Sequence, residues 1–329
     1  MKILYCIPTN NISSKSKPVC SLFLLEEFER LRKILPETDR FNIDISSRRF
    51  IFVLFVKLLK IKVWKYSIVH VNYGSISGFS LILCLKVLAP KVGIVLTLGG
   101  SDVFGHENSN IFHQLRNTIV NRASLFATYL ADDVIVVADK LALKLKITKF
   151  KVIPRGIDID LFKPGISKPS TINTKDTFNI FFSMPRKESW VKNLPFAKEV
   201  IKKLNSNSEG LSFTLNVVTG KTRDELYSEL LQCDILLLTS FHEGSPNIVK
   251  EAMACNLPIV SSNVGDVKEM FFGGVNLIVI DGYSAEVYSQ AILGLAKGSL
   301  VSNGREIILE KGIDAYSSIN KIKQVYDQF

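Results

Sequence analysis

A chain of 329 residues, 47% hydrophobic and 22% charged, is long enough for two domains of moderate size and too apolar to be disordered. Lysine and arginine outnumber aspartate and glutamate by 41 to 31, a net +10, which directs attention to an anionic surface, an anionic substrate or nucleic acid as partner. The five cysteines, Cys6, Cys20, Cys84, Cys233 and Cys255, are scattered without CxxC spacing, which argues against a zinc site or disulfide framework and for a reducing compartment.

Along the chain, the apolar run after Lys2 is too short for a signal-peptide core and reads as a first buried strand, Ile3–Ile7. Leu24, Phe28, Leu31 and Leu35 follow at spacings of four, three and four, one face of a helix. The longest apolar runs, 50–56 and 78–85, fall short of the ~20 residues a membrane span needs. Around the first of them crowd Arg48, Arg49, Lys57, Lys60, Lys62 and Lys65. This composition suits a helix lying on an anionic bilayer, and equally a buried domain helix with basic ends. Further strands are expected at 68–72, 93–98, 133–137 and 151–153. They are continuous apolar runs, buried on both faces, and they alternate with helical segments, which implies parallel βαβ units.

The stretch 163–176, KPGISKPSTINTKD, reads as a linker. Beyond it the alternation restarts: strands at 178–182, 212–218, 235–238, 258–261 and 276–280, and helices at 193–205, 224–232, 247–254 and 285–296. The expectation is an α/β protein of two doubly wound domains, with ligands held beyond the carboxyl ends of the strands in a cleft between them. No strand is followed by GxGxxG or GxxxxGK[ST], which weakens dehydrogenase and P-loop readings. No recognition motif or aromatic platform supports nucleic acid as a partner.

The densest chemical signal is 240–269, SFHEGSPNIVKEAMACNLPIVSSNVGDVKE. A strand ends, the chain turns at Glu243 and Gly244, and a helix opens with Ser245 as N-cap and Pro246 in the first turn. Its amino terminus is an anion site suited to phosphate. Glu243 and Glu251, one before and one inside the helix, are acceptors suited to sugar or ribose hydroxyls.

EGSPNIVKEAMACNLPIV resembles the EX7E signature of retaining glycosyltransferase family 4, the glycogen-synthase-like group with the GT-B fold, with Asn256 where a glycine is usual. The resemblance implies that Glu243 holds hydroxyls of the transferred sugar, that the backbone of Gly244, Ser245, Pro246, Asn247 and Ile248 meets sugar and diphosphate, and that Glu251 binds the ribose. In 181–196, FFSMPRKESWVKNLPF, it makes Arg186 and Lys192 the cations that grip the departing diphosphate, with Lys187 the alternative to Arg186. Such cations do a metal's work, and the sequence offers no metal site. The segment 153–164, IPRGIDIDLFKP, resembles the family's hinge, with Arg155 in place of asparagine and Asp158 as a turn residue. TLGGSDV at 97–103 resembles the H-G-x-D loop, with Gly99 where histidine is usual; Asp102 is either a substrate-orienting residue or a turn aspartate, and His106 lies near enough to stand in for the histidine.

The resemblance therefore implies an N-terminal domain, 1–165, onto which a final helix at 315–329 packs back, and a nucleotide-sugar domain, 166–314. The implied activity is retaining, metal-independent and cofactor-free transfer of a hexose from a UDP- or GDP-sugar to a polysaccharide or lipid-linked acceptor. It would take place in the cytoplasm, with an anionic membrane surface as a candidate partner. A nucleotide-sugar 2-epimerase and a catalytically silent partner subunit are the alternatives.

Overall fold

The computed structural model describes residues 1–10, 19–20, 22–44, 50–104, 111–165, 176–184, 190–208 and 210–329. They form two compact units, Met1–Pro154 with Tyr316–Phe329, and Arg155–Ala315.

The first unit is organised by a sheet of β1 (Ile3–Asn10), β2 (Val19–Cys20), β3 (Thr38–Asp44), β4 (Ile68–Asn72), β5 (Gly93–Leu98), β6 (Asp133–Val136) and β7 (Lys151–Val152). β1 pairs in parallel with β3 and β4, the path continues in parallel through β5 and β6 to β7, and β2 joins β1 antiparallel. Alternate side chains of each strand feed opposite cores, as a period of two requires. Leu4, Cys6, Val69 and Leu96 face one side. There they pack under α2 (Phe50–Lys60), α3 (Ser75–Leu88), α4 (Ser101–Phe104), α5 (Ile111–Leu130) and α6 (Asp139–Leu145), through residues such as Leu54, Leu58, Leu81, Val103 and Leu141. The other side carries Ile3, Tyr5, Ile68 and Val95 against Leu24, Phe28 and Leu31 of α1 (Leu22–Ile34). The last helix, Ala315–Tyr326, adds Ile319, Ile322, Val325 and Tyr326 to this core. Each such side chain contributes roughly 1.5–3 kcal/mol by leaving water. Buried polar groups here are partnered: His70 lies 2.5 Å from the Tyr326 hydroxyl through Nδ1 and 2.7 Å from Thr97 Oγ1 through Nε2, and Tyr5 donates to Glu27.

The second unit repeats the plan. Its strands are β8 (Thr177–Ser183), β9 (Ser212–Val218), β10 (Ile235–Leu238), β11 (Ile259–Ser262) and β12 (Leu277–Ile280), all parallel, in the order β12-β11-β10-β8-β9. One face is covered by α7 (Leu194–Asn207) and α11 (Ala285–Lys297). The opposite face is covered by α8 (Arg223–Gln232), α9 (Asn247–Ala254), α10 (Val267–Phe271) and α12 (Gly304–Lys311). α8 opens with a capping box, Thr222 accepting from the Glu225 amide and Glu225 accepting from the Thr222 amide.

Two expectations need correction. The boundary lies at Pro154 and Arg155, not at 165. The hinge segment belongs to the second unit, where Ile157 bridges Asp314, and Arg305 donates to the carbonyls of Ile159 and Phe162. Most of the expected linker, 166–175, lies outside the described residues. The edge strand β3, absent from the sequence reading, has the polar-apolar pattern TDRFNID rather than a continuous apolar run, because it pairs on one side only.

Candidate active site

Both sheets make the same step. From the first strand the chain moves outward, β1 to β3 and β8 to β9, then returns to the first strand's other side at β4 and β10. A crevice therefore opens beyond the carboxyl ends of β1 and β4, and another beyond those of β8 and β10, where doubly wound folds bind ligands.

In the second unit this crevice gathers the sequence-derived residues. β10 ends at Leu238 and runs into Thr239, Ser240 and Glu243. The chain after β8 reaches a 3-10 turn, Trp190–Lys192, that brings Lys192 to the same point. Lys192 Nζ lies 2.5 Å from Glu243 Oε1, and the Ser240 hydroxyl donates to the same oxygen at 2.8 Å. Glu243 Oε2 makes no hydrogen bond among the described residues. The loop is pinned from beneath: Thr239 Oγ1 donates to the Lys192 carbonyl at 2.9 Å, and Asn193 takes a left-handed conformation, φ 54°, to turn the chain into α7. Trp190 stacks on Phe241 with ring centroids 5.6 Å apart, and Tyr283 donates to the Ser240 carbonyl at 2.8 Å. Arg186 and its alternative Lys187 lie outside the described residues.

The helix α9 spans Asn247–Ala254, the expected range, with Pro246 rather than Ser245 as N-cap. The Ser245 hydroxyl does not cap it. It donates to Asp266 Oδ2 at 2.7 Å and lies 3.1 Å from Lys250 Nζ. Lys250, fully buried, also donates to the Arg155 carbonyl at 2.6 Å. Desolvation pushes the Asp266 carboxyl up, against the opposing charge of Lys250 and the Ser245 hydrogen bond, and its other oxygen has no partner among the described residues. Gly265, at φ 54°, lets this turn press on the start of α9: a Cβ there would lie 2.3 Å from the Gly244 carbonyl oxygen. Gly244, Ser245, Pro246, Asn247 and Ile248 thus form a turn fixed from outside, whose first helical amides no side chain caps.

Glu251 is buried on α9 and forms an ion pair with Arg223 of α8, whose guanidinium lies 4.6 Å from the centre of the Phe162 ring. The sequence reading missed Arg223; only its place at the start of a capped helix marks it. Asn256, where the family pattern has glycine, has φ 55° just past α9, and its Oδ1 accepts from the Arg305 amide at 3.0 Å. Asparagine tolerates this conformation, and here it also satisfies a helix-start amide.

The first unit's crevice is built differently. Asp102 is 2% exposed, and its carboxylate accepts from the amides of Gly74 at 2.8 Å, Gly100 at 2.8 Å and Gly99 at 3.1 Å. Burial pushes this carboxyl up, opposed by those amides. It ties the loop after β4 to the loop after β5, as a turn aspartate does. Tyr73 and Ser75, both non-glycine, have φ of 68° and 49° in the first of these loops. A Cβ at Gly99 would lie 2.2 Å from the Tyr73 ring, so the usual histidine has no room and an aromatic ring lies across its place. His106 lies outside the described residues. Asp158 accepts from the amides of Asp160 and Leu161 at 3.0 and 3.1 Å, as a turn residue does.

Two doubly wound parallel-sheet units of one strand order have the architecture of the GT-B fold. Residues 195–297 match the family described as Glycosyl transferases group 1. TuaC of Bacillus subtilis (strain 168), named for teichuronic acid biosynthesis, is 25% identical over 248 residues, 68% of this chain and 60% of that protein. The chain thus spans less than two thirds of this curated relative's length. Sucrose-phosphate synthase from Thermosynechococcus elongatus superposes with a TM-score of 0.73 at 15% identity, covering 100% of this chain and 99% of the other. Anabaena HepE, in a structure titled as a complex with UDP and glucose, superposes with a TM-score of 0.69 at 15% identity, covering 100% of both.

Proposed function

We propose that the chain is a retaining, metal-independent glycosyltransferase that moves a hexose from a UDP- or GDP-sugar to a polysaccharide or lipid-linked acceptor in the cytoplasm. The observation that carries this reading is the Lys192–Glu243–Ser240 cluster where β8 and β10 end, beside the start of α9. Lys192 Nζ has three donors and spends one on Glu243, so the others can meet a diphosphate. One Glu243 oxygen is held by Lys192 and Ser240, which orients the other to accept a sugar hydroxyl. The amides opening α9 suit the diphosphate. Glu251, oriented by Arg223, is the acceptor for the ribose that the family resemblance implies. As the glycosidic bond breaks, charge builds on the diphosphate, and Lys192 with Arg186 stabilises it while the acceptor hydroxyl attacks from the same face. The UDP in the HepE structure supports a uridine donor, and the name of TuaC supports a polysaccharide acceptor.

A thermal-shift screen against UDP-, GDP- and ADP-sugars tests the donor, since a ligand bound by the folded state alone stabilises it by mass action. One nucleotide class should raise the midpoint, and nucleoside diphosphate release should then require an acceptor. Acceptor-free change of the sugar would instead identify an epimerase, and the absence of any shift would favour a silent subunit.

A further inference from the structure

The first unit has a surface that this chemistry leaves unused. α2 buries Leu54 and Leu58 in the core, with Phe55 packed against it, and the adjoining arc of the helix is also apolar. At 100° per residue, Ile51, Phe52, Phe55, Val56 and Leu59 fall on one arc of the helix. Phe52 is 68% exposed, Ile51 and Leu59 are exposed, and Trp64 in the following 3-10 turn is 51% exposed. Lys57 and Lys60 occupy the remaining outward sector beyond Val56, so α2 exposes an apolar and a cationic sector side by side. Lys57, Lys60, Lys62 and Lys65 are all exposed, and none makes an ion pair among the described residues. Their charge is also uncompensated along the chain: from Asp44 to Asp102 the sequence contains no acidic residue between them and eight basic ones. Among the described residues no helix is long and apolar enough to cross a membrane.

We infer that this face docks flat on an anionic lipid bilayer, with Phe52, Leu59 and Trp64 entering the headgroup boundary and the four lysines meeting lipid phosphates. An outward apolar arc flanked by uncompensated cations is the composition of an in-plane interfacial helix, and an indole at its end suits the interface. A second copy of the chain fits less well, because a symmetric pairing sets equal cationic flanks against each other. The inference is independent of the sugar-transfer reading and stands or falls without it.

The full chain is sedimented with vesicles of phosphatidylcholine alone and of phosphatidylcholine with a quarter phosphatidylglycerol. Binding to the anionic vesicles only, weakened by salt, is expected. Each lysine near such a surface contributes about a fivefold gain in affinity, so Lys57→Gln with Lys60→Gln should weaken binding roughly 30-fold. Phe52→Ser, an exposed change that leaves the fold intact, should weaken it as well. The chain has two tryptophans, Trp64 and Trp190, so in a Trp190→Phe background the emission of Trp64 should shift to the blue on the anionic vesicles. Equal binding to neutral vesicles, an unmoved Trp64 emission, or full binding by both variants would overturn the proposal. A concentration-dependent dimer lost on Phe52→Ser would do so in favour of a second copy.

Discussion

The two units use one strand order and secure its crevice by opposite means. In the second, side chains meet side chains: Lys192 holds Glu243, Arg223 holds Glu251, and Ser245 joins Lys250 to Asp266. In the first, one buried carboxylate, that of Asp102, gathers backbone amides from two loops. A crevice lined by paired charges keeps groups that can exchange a protein partner for a ligand. A crevice closed by an aspartate and backbone is a shaped wall whose polar groups are already committed. The lesson is that strand order locates a site, and the manner of its satisfaction indicates whether chemistry is done there.

Substitutions can break this contrast, and the strongest should act in the second unit. Lys192→Ala and Glu243→Gln should each lower kcat by roughly 10²–10³-fold, the effect of removing a preorganised charge partner, while circular dichroism shows an intact fold. Near-normal turnover in both would remove the pair from the reaction. Next, Asp102→Ala strands two buried amides and a half-buried one and should destabilise the first unit by on the order of 3 kcal/mol. The two tryptophans separate the units, so the Trp64 unfolding transition should move while that of Trp190 stays in place. Equal movement of both would show that the crevices are not independently secured. Gly99→Ala forces a methyl group against the Tyr73 ring and should cost about 1–3 kcal/mol, relieved by Tyr73→Ala in the double variant. The smallest effect sharpens the second unit's side: Asn256→Ala keeps the left-handed residue but loses the acceptor for the Arg305 amide, for about 1–2 kcal/mol by denaturant midpoint, whereas Asn256→Gly should change stability by less.

Legibility in the sequence follows the same division. The second unit's strands and α9 were readable because its chemistry is contiguous: Glu243, the turn, the helix and Glu251 lie within one stretch. What that stretch could not reveal were partners supplied from afar. Arg223 precedes Glu251 by 28 residues, and Ser245 reaches Asp266 across 21, so a local capping rule gave Ser245 the wrong task. The first unit's crevice joins Tyr73, Gly99, Asp102 and Ser124, a set with no local period, and the missing histidine became explicable only once the Tyr73 ring was seen beside Gly99. β3 was hidden by its edge position, and the unit boundary by a hinge whose glycine and prolines resemble a linker although Ile157 and Phe162 belong to the second core.

The helix Ala315–Tyr326 has a consequence for biosynthesis. Ile319, Ile322, Val325 and Tyr326 complete a core that begins at Ile3. A ribosome must therefore translate the whole second unit before the first can close its apolar underside. During that interval Ile3, Tyr5 and Ile68 lack their final cover, and His70 lacks the Tyr326 hydroxyl. The nascent amino-terminal half is then the vulnerable party, a client for a holding chaperone, and expressing residues 1–154 alone should yield an aggregating fragment rather than a domain.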